Sequence, residues 1–512
     1  MAGKNSNIAV NPPVFFISGA FLIAFLLFGT LFGDTAGTVL PQALKWVAGT
    51  FGWFYTLSIT VFLGFALWLA MGRAGHVRLG EDDSRPDFGR FTWFAMLFSA
   101  GMGIGLLFYG VAEPMLHYMN PPVGAGQTQL AAEMALPHTF HHWGFHGWAI
   151  YVCMGLTIAY FGYRKRLPLA LRSTLYPLLG DRIHGWPGHV VDILAVLGTL
   201  FGLATSLGLG AMQVNRGLTR LFDLPFGSAT QLALIAIITL AATISLVTGV
   251  DKGIRRLSEF NIIMASVLLV FVFLVGPTVF LLGLFSDSLG YYLTNMVHKS
   301  FWMDSFADNP WLDNWTLFYW GWWIAWSPFV GMFVARISRG RTIREFVLGV
   351  LLVPPLVTFV WMTVFGGTAL HLERFAGGGI GAAVDADVST AIYVMLDQLP
   401  LSQVTSLLAA IVVAVFFVTS SDSASFVVDM LTSGGHPNPP IWQRVFWAVA
   451  EGAVAAVLLV SSGKAGLSAL QAGVVCIGLP FCFVLLVMCY SLTKALLKDP
   501  AVVGQPDKGA PP

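Results

Sequence analysis

Apolar residues run along this chain in long stretches, separated by short polar turns. A helix rising 1.5 Å per residue needs about 20 apolar residues to cross a hydrocarbon layer. On that ruler twelve stretches qualify, near residues 13–33, 50–71, 90–118, 141–163, 190–218, 229–250, 259–284, 313–335, 346–369, 403–430, 442–462 and 468–494. The segment after the seventh is different. Leu289, Tyr292, Leu293, Met296, Val297 and Phe301 recur at helical spacing among polar residues. That pattern suits a helix lying along a membrane surface, or an ordinary amphipathic connecting helix. The first stretch is too long for a signal-peptide core and lacks a small-residue cleavage pattern, so it reads as a true span. The predicted fold class is an all-α polytopic membrane protein.

Composition supports this and adds an orientation. Of 512 residues, 56% are hydrophobic and 10% charged, against roughly 25% charged in a soluble domain. The net charge is +1 and no basic block offers a phosphate-binding surface, so no nucleic-acid partner is expected. Cys153, Cys476, Cys482 and Cys489 all lie in apolar runs without metal-ligand spacing, and read as small buried hydrophobes. No metal set, nucleophile–base pair or cofactor loop is visible, and no segment outside the membrane is long enough for an enzyme domain. Twelve spans put both termini on one side of the membrane. By this map 21 of the 27 lysines and arginines fall on the side of the termini and 6 on the other, which predicts cytoplasmic termini. The basic clusters at 163–166, 251–256 and 335–344 are topology signals of this kind. The Pro/Gly-rich tail after Lys498 is expected to be disordered.

Three spans depart from aliphatic monotony, and such departures are where function tends to sit. In Ser99–Gly110 the glycines Gly101, Gly103 and Gly105 each cost roughly 1 kcal/mol in a helix. Gly101 and Gly105 fit a G-x-x-x-G packing face, but Gly103 lies off it. An unwound segment that lines a polar cavity accounts for all three. In Phe416–Ser425 five hydroxyls and Asp422 lie deep in the tenth span. A lone hydroxyl usually bonds its own backbone; a cluster this dense points to a cation or water-filled site. Asp422 reads either as a proton carrier or cation ligand, or as a structural hydrogen-bonding partner.

The third place is "GWWIAWSPFVGMF", residues 321–333, with Trp322, Trp323 and Trp326 on adjacent turns and Pro328 favouring a kink. Tryptophan belts belong at the membrane interface, yet these rings sit well inside the span. Several indole faces around one cavity suit a cation that offers no hydrogen bond, such as a quaternary ammonium. "HHWGFHGWAIY", residues 141–151, adds Trp143, Trp148 and Tyr151. His142 and His146 have no third metal partner that the sequence identifies; histidines here relay protons or anchor at the interface.

At this point the chain resembles the betaine–choline–carnitine transporters, from about residue 10 to 495. The resemblance rests on "AGMGIG" (100–105), "VAEP" (111–114), "GVDKGIRRLSE" (249–259) and the long "WTLFYWGWWIAWSPFVGMFVARISRGRTIREF" (315–346). It implies a homotrimer in the bacterial inner membrane, each protomer twelve helices with a LeuT-type core of two inverted repeats, spans 3–7 and 8–12. The implied organisation is an N-terminal tail (1–12), two peripheral helices (13–89), a first repeat (90–285), an amphipathic connector (286–312), a second repeat (313–495) and a short cytoplasmic tail (496–512).

The resemblance also assigns residues. The cage corresponds to Trp322, Trp323 and Trp326 with Trp143 and Tyr151, and the glycine stretch brings Met102, Gly103 and Gly105 to the ligand. A sodium site corresponds to backbone oxygens of Ser99, Met102 and Phe416 and hydroxyls of Thr419 and Ser420. A second sodium site uses span-five hydroxyls and Phe329; Thr199 fits, but Leu203 stands where a further threonine is found, which weakens it. No cofactor is expected, and the coupling ion is Na+. Choline-using, proton-coupled members tend to carry Asp at the end of the glycine stretch, where this chain has Gly105. The favoured expectation is therefore sodium-coupled uptake of glycine betaine as an osmoprotectant. Choline or carnitine transport, proton-coupled or sodium-independent, is the alternative, and residues 120–128 and 250–259 look more like the choline branch.

Overall fold

The computed structural model describes residues 10–101, 103–248, 251–306, 309–436, 439–461 and 466–503. Among these residues the structure is helical, with one isolated bridge between Arg78 and Thr342. The first half runs α1 (Pro12–Leu31), α2 (Gly33–Met71), α3 (Arg90–Gly101), α4 (Ile104–Met119), α5 (Gln129–Trp143), α6 (Phe145–Ala159), the short α7 (Tyr176–Leu179), α8 (Trp186–Phe222), α9 (Ser228–Thr248) and α10 (Asp251–Val275). Then α11 (Thr278–Phe301) leads to α12 (Phe318–Ile337), α13 (Ile343–Phe375), the short α14 (Ile380–Ala386) and α15 (Ala391–Leu396), α16 (Ser402–Thr432), α17 (Ile441–Ser461), α18 (Gly466–Leu496) and the single turn α19 (Pro500–Val503).

Among the described residues, ten helical stretches are long and apolar enough to cross a membrane. The two expected spans outside that set are the third and the eighth, both irregular in sequence. The third is divided, because α3 stops at Gly101 and α4 starts at Ile104, leaving pieces of 12 and 16 residues. The eighth is α12, where tryptophans and glycines replace aliphatic residues. Other boundaries differ from expectation for local reasons. α10 ends at Val275 rather than near 284, because Gly276 and Pro277 intervene and Pro277 caps α11 instead. Proline cannot supply the N–H that a continuing helix needs. α2 begins at Gly33 and runs 39 residues through Pro41, well before the expected start near 50.

Burial separates centre from rim. The α5–α6 stretch is 94% buried over its most apolar window and α8 is 89% buried, whereas α9 and α10 are 33% and 22% buried. Ile237, Ile263 and Leu274 stand exposed on those rim helices, an apolar surface that suits lipid. α12 lies at the centre, and a glycine stands at each close contact it makes. A Cβ on Gly331 would sit 2.1 Å from Met154 of α6, one on Gly202 of α8 3.0 Å from Trp326, and one on Gly321 2.8 Å from the Val475 backbone of α18. Without lipid-versus-water driving force between helices, such close backbone approach is what holds them together.

The chain end past α18 is tied down by charge. Asp499 accepts from Arg164 Nε and Nη2, both at 2.7 Å, and from the Tyr160 hydroxyl at 2.8 Å. Burial opposes its charge, but these hydrogen bonds outweigh burial and hold its carboxyl well below the usual carboxylate range. The stabilisation is therefore present above the ordinary carboxylate range and fades as pH falls through the lowered value. Asp499→Asn is expected to cost about 1.5–3 kcal/mol, because it removes a charged hydrogen-bonding partner of Arg164, which keeps only its contacts with Asp82 and the Gly80 and Arg78 carbonyls. A lowered thermal midpoint in detergent at neutral pH checks this; an unchanged midpoint contradicts it.

Candidate functional site

The interruption between α3 and α4 opens the centre of the bundle. Gly103 takes an extended conformation (φ −154°, ψ −169°) immediately before α4, as an unwound segment requires. Against it lies a cavity of about 160 Å³. Its walls come from α4, α6, α8, α10, α12 and α16, with Trp143 contributed by the end of α5.

One wall is aromatic. Trp143, Tyr151, Trp322, Trp323 and Trp326 all line the cavity, with Gly103, Gly105 and Phe329. Trp143 meets Trp322 and Trp323 with ring centroids 6.2 and 6.0 Å apart, at 81° and 76°. Tyr151 lies 4.9 Å from Trp323, and Trp148 backs both from behind, at 5.4 and 5.7 Å. Near-perpendicular rings form the sides of a box. Three of the four indole N–H groups are used outside it: Trp143 donates to Glu113 at 2.7 Å, Trp323 to the His142 carbonyl at 3.1 Å and Trp326 to the Gly202 carbonyl at 2.9 Å. For these three rings carbon surface is what remains for the cavity, while Trp322 Nε1 is buried without a hydrogen-bond partner among the described residues. Such a box can attract a cation by its π faces.

Gly105 makes the box possible. A Cβ there would lie 2.5 Å from Trp322 Cη2 and 3.1 Å from Trp143 Cη2. Both rings thus occupy space that any side chain on this turn of α4 would need.

The opposite wall is polar and comes from α16. Phe416, Thr419, Ser420 and Ser423 face the cavity, spaced i, i+3, i+4 and i+7 on one helical face. Ser421 and Ser425 point elsewhere and donate to buried Glu451 of α17, at 3.3 and 2.8 Å. The dense hydroxyl cluster is thus two faces with different partners, a division that helical periodicity could have shown. Thr419 donates its proton to the Val415 carbonyl at 3.0 Å, which leaves its lone pairs free to accept or to coordinate. Asp422 is buried but does not line the cavity. Met102 and the side chain of Ser99 lie outside the described residues. Thr199 is 2% exposed with no hydrogen-bond partner for its hydroxyl among the described residues, and lies away from the cavity wall.

Two features escaped the sequence. Asn261 of α10 lines the cavity, 1% exposed, with neither side-chain atom hydrogen-bonded among the described residues. An uncommitted carboxamide can donate and accept toward a polar ligand. Behind the aromatic wall, Glu113, His117 and His142 converge, their ligand-type atoms within 4.8 Å of one another. That spacing could hold a metal ion, yet the atoms already bond to each other: His142 Nδ1 lies 2.6 Å and His117 Nε2 3.2 Å from Glu113 Oε1. Glu113 was visible only as part of "VAEP", although an acidic residue in mid-span with a histidine four residues on is a signal in itself.

Comparison with known proteins sets this geometry in context. A family model described as "BCCT, betaine/carnitine/choline family transporter" matches residues 13–501. The chain is 45% identical over 498 residues to the glycine betaine transporter OpuD of Bacillus subtilis, covering 97% of this chain and 96% of that one. It is 47% identical over 495 residues to glycine betaine transporter 1 of Vibrio parahaemolyticus, covering 95% and 94%. It is 46% identical over 495 residues to the high-affinity choline transport protein of Escherichia coli, covering 95% of this chain and 72% of that protein.

Gly105→Val is expected to push Trp322 off its position, since the added carbons fall inside the ring's contact distance. Overpacking of this kind costs about 1–3 kcal/mol. It should appear as a lowered thermal midpoint and an altered near-ultraviolet dichroism; unchanged values in both would contradict the packing described.

Proposed function

The chain belongs to the betaine/carnitine/choline transporter family, and on that premise we propose that it is a sodium symporter for glycine betaine. It is a transporter and not an enzyme. The observation that carries the proposal is that one cavity joins the five aromatic residues to Phe416, Thr419 and Ser420. The trimethylammonium group would sit among Trp143, Tyr151, Trp322, Trp323 and Trp326, where no hydrogen bond is needed and π faces supply the attraction. Sodium would take the hydroxyls of Thr419 and Ser420 with carbonyl oxygens of Phe416, Ser99 and Met102. Thr199 and Phe329 would form the second, weaker sodium site. Binding both ligands closes the cavity, and the two halves, 90–285 and 313–495, rock against each other as inverted repeats. The homotrimer, the inner-membrane location and the cytoplasmic termini belong to the same proposal.

Choline transport is the second reading. Identity does not separate the two, because the chain is 46% identical to a choline transporter and 47% identical to a glycine betaine transporter. Gly105 does. With Trp322 already in contact with that backbone, no counter-ion side chain fits there, and glycine betaine brings its own carboxylate.

Trp323→Leu and Trp326→Leu are each expected to abolish uptake of labelled glycine betaine at unchanged membrane abundance; normal uptake in both removes the cage. Thr419→Ala combined with Ser420→Ala is expected to raise the sodium concentration for half-maximal uptake by about tenfold or more, the loss of two oxygen ligands. An unchanged sodium dependence would point to protons as the coupling ion.

A further inference from the structure

The outer side of the aromatic wall holds a buried carboxyl group. Glu113 lies on α4, eight residues beyond Gly105, with none of its surface exposed. Four polar groups converge on its carboxyl: the indole and the phenol donate, and both imidazoles can donate as the appropriate tautomer. His142 Nδ1 and His117 Nε2 approach one oxygen, at 2.6 and 3.2 Å. Trp143 Nε1, at 2.7 Å, and the Tyr319 hydroxyl approach the other. An ionised carboxylate accepts at about four sites and donates at none, so this surrounding is the complement of the anion.

No permanent cation stands beside this carboxyl. Among the described residues no lysine or arginine lies within ion-pair distance of Glu113; its pairs are His117 and His142 alone. His142 Nε2 meets the Thr316 hydroxyl at 2.9 Å, which can donate into a neutral ring. His117 Nδ1 is buried without a hydrogen-bond partner, so a second proton there would be a donor with nothing to bond. Lys299 is engaged further out, with its Nζ 3.0 Å from His138 Nδ1. An anion kept inside a membrane protein is expensive and marks function.

Trp143 connects this anion to the cavity. Its N–H donates to Glu113 while its ring lines the box. A hydrogen bond to an anion is strong and directional; it fixes the ring and enriches the π face that a cation would meet. We infer that Glu113 is a positioning residue that makes the cavity selective for positive charge, acting through the Trp143 indole. This rests on the proposed ammonium cage. Glu113 touches no ligand itself.

The test compares glycine betaine with tert-butylacetate, which has the same shape with carbon in place of the charged nitrogen. Binding of each is read by intrinsic tryptophan fluorescence of the purified full-length protein at saturating sodium. Wild-type protein should prefer glycine betaine strongly. In Glu113→Gln, which keeps an acceptor for Trp143 but loses the charge, the preference ratio should fall about tenfold or more. A purely structural role would weaken both ligands by the same factor, and an unchanged ratio overturns the inference while leaving the cage standing. Trp143→Phe, which keeps an aromatic face without the N–H, provides a second reading if Glu113→Gln does not yield monodisperse protein. Its ratio should fall several-fold, and an unchanged ratio again overturns the assignment. Wild-type protein that binds neither ligand removes the cage and the inference together.

Discussion

An indole ring turns carbon toward a cavity when its one polar atom is satisfied elsewhere. Here Trp143, Trp323 and Trp326 each spend their N–H on a protein acceptor, two of them backbone carbonyls and the third the Glu113 carboxylate. The rings are thereby held in place and present carbon to the space between them. Rotating any of them inward would give up that hydrogen bond. The surrounding structure serves this constraint. α12 carries three of the rings and is gripped by α6, α8 and α18 through glycine contacts. The bare backbone at Gly105 lets Trp322 and Trp143 close the box over α4.

The polar side follows from the same economy of partners. α16 shows two hydroxyl faces, and only one of them meets the cavity. Ser421 and Ser425 belong to Glu451, while Thr419 and Ser420 line the cavity together with Gly103 at the start of α4. An aromatic wall and an oxygen wall thus share one cavity, which is what coupling a methylated ammonium to a small hard cation would require.

Much of this was legible in the chain. Hydropathy located the helices, and the two spans that fall outside a simple length-and-apolarity measure are the glycine and tryptophan stretches already marked as irregular. Trp143, Tyr151, Trp322, Trp323, Trp326, Phe416, Thr419 and Ser420 do come together around one cavity. What the chain concealed were contacts between residues distant in sequence. Nothing in the sequence around Asn261 shows that its amide faces a cavity. Glu113, His142 and Tyr319 are separated by 29 residues or more, so their convergence depends wholly on how α4, α5 and α12 pack. Boundaries slipped where proline acted in an unexpected direction: Pro277 ended one helix and opened the next, whereas Pro41 sits inside an unbroken α2.

The central claim is that methylated nitrogen is held by carbon faces at the middle of the bundle. A density map of the protein with glycine betaine and sodium bound tests it most directly. The ammonium nitrogen should lie within about 6 Å of the ring centroids of Trp143, Trp322 and Trp323, with no side-chain carboxylate in contact with it. A nitrogen found outside this box, or paired directly with an acidic side chain, would contradict the account.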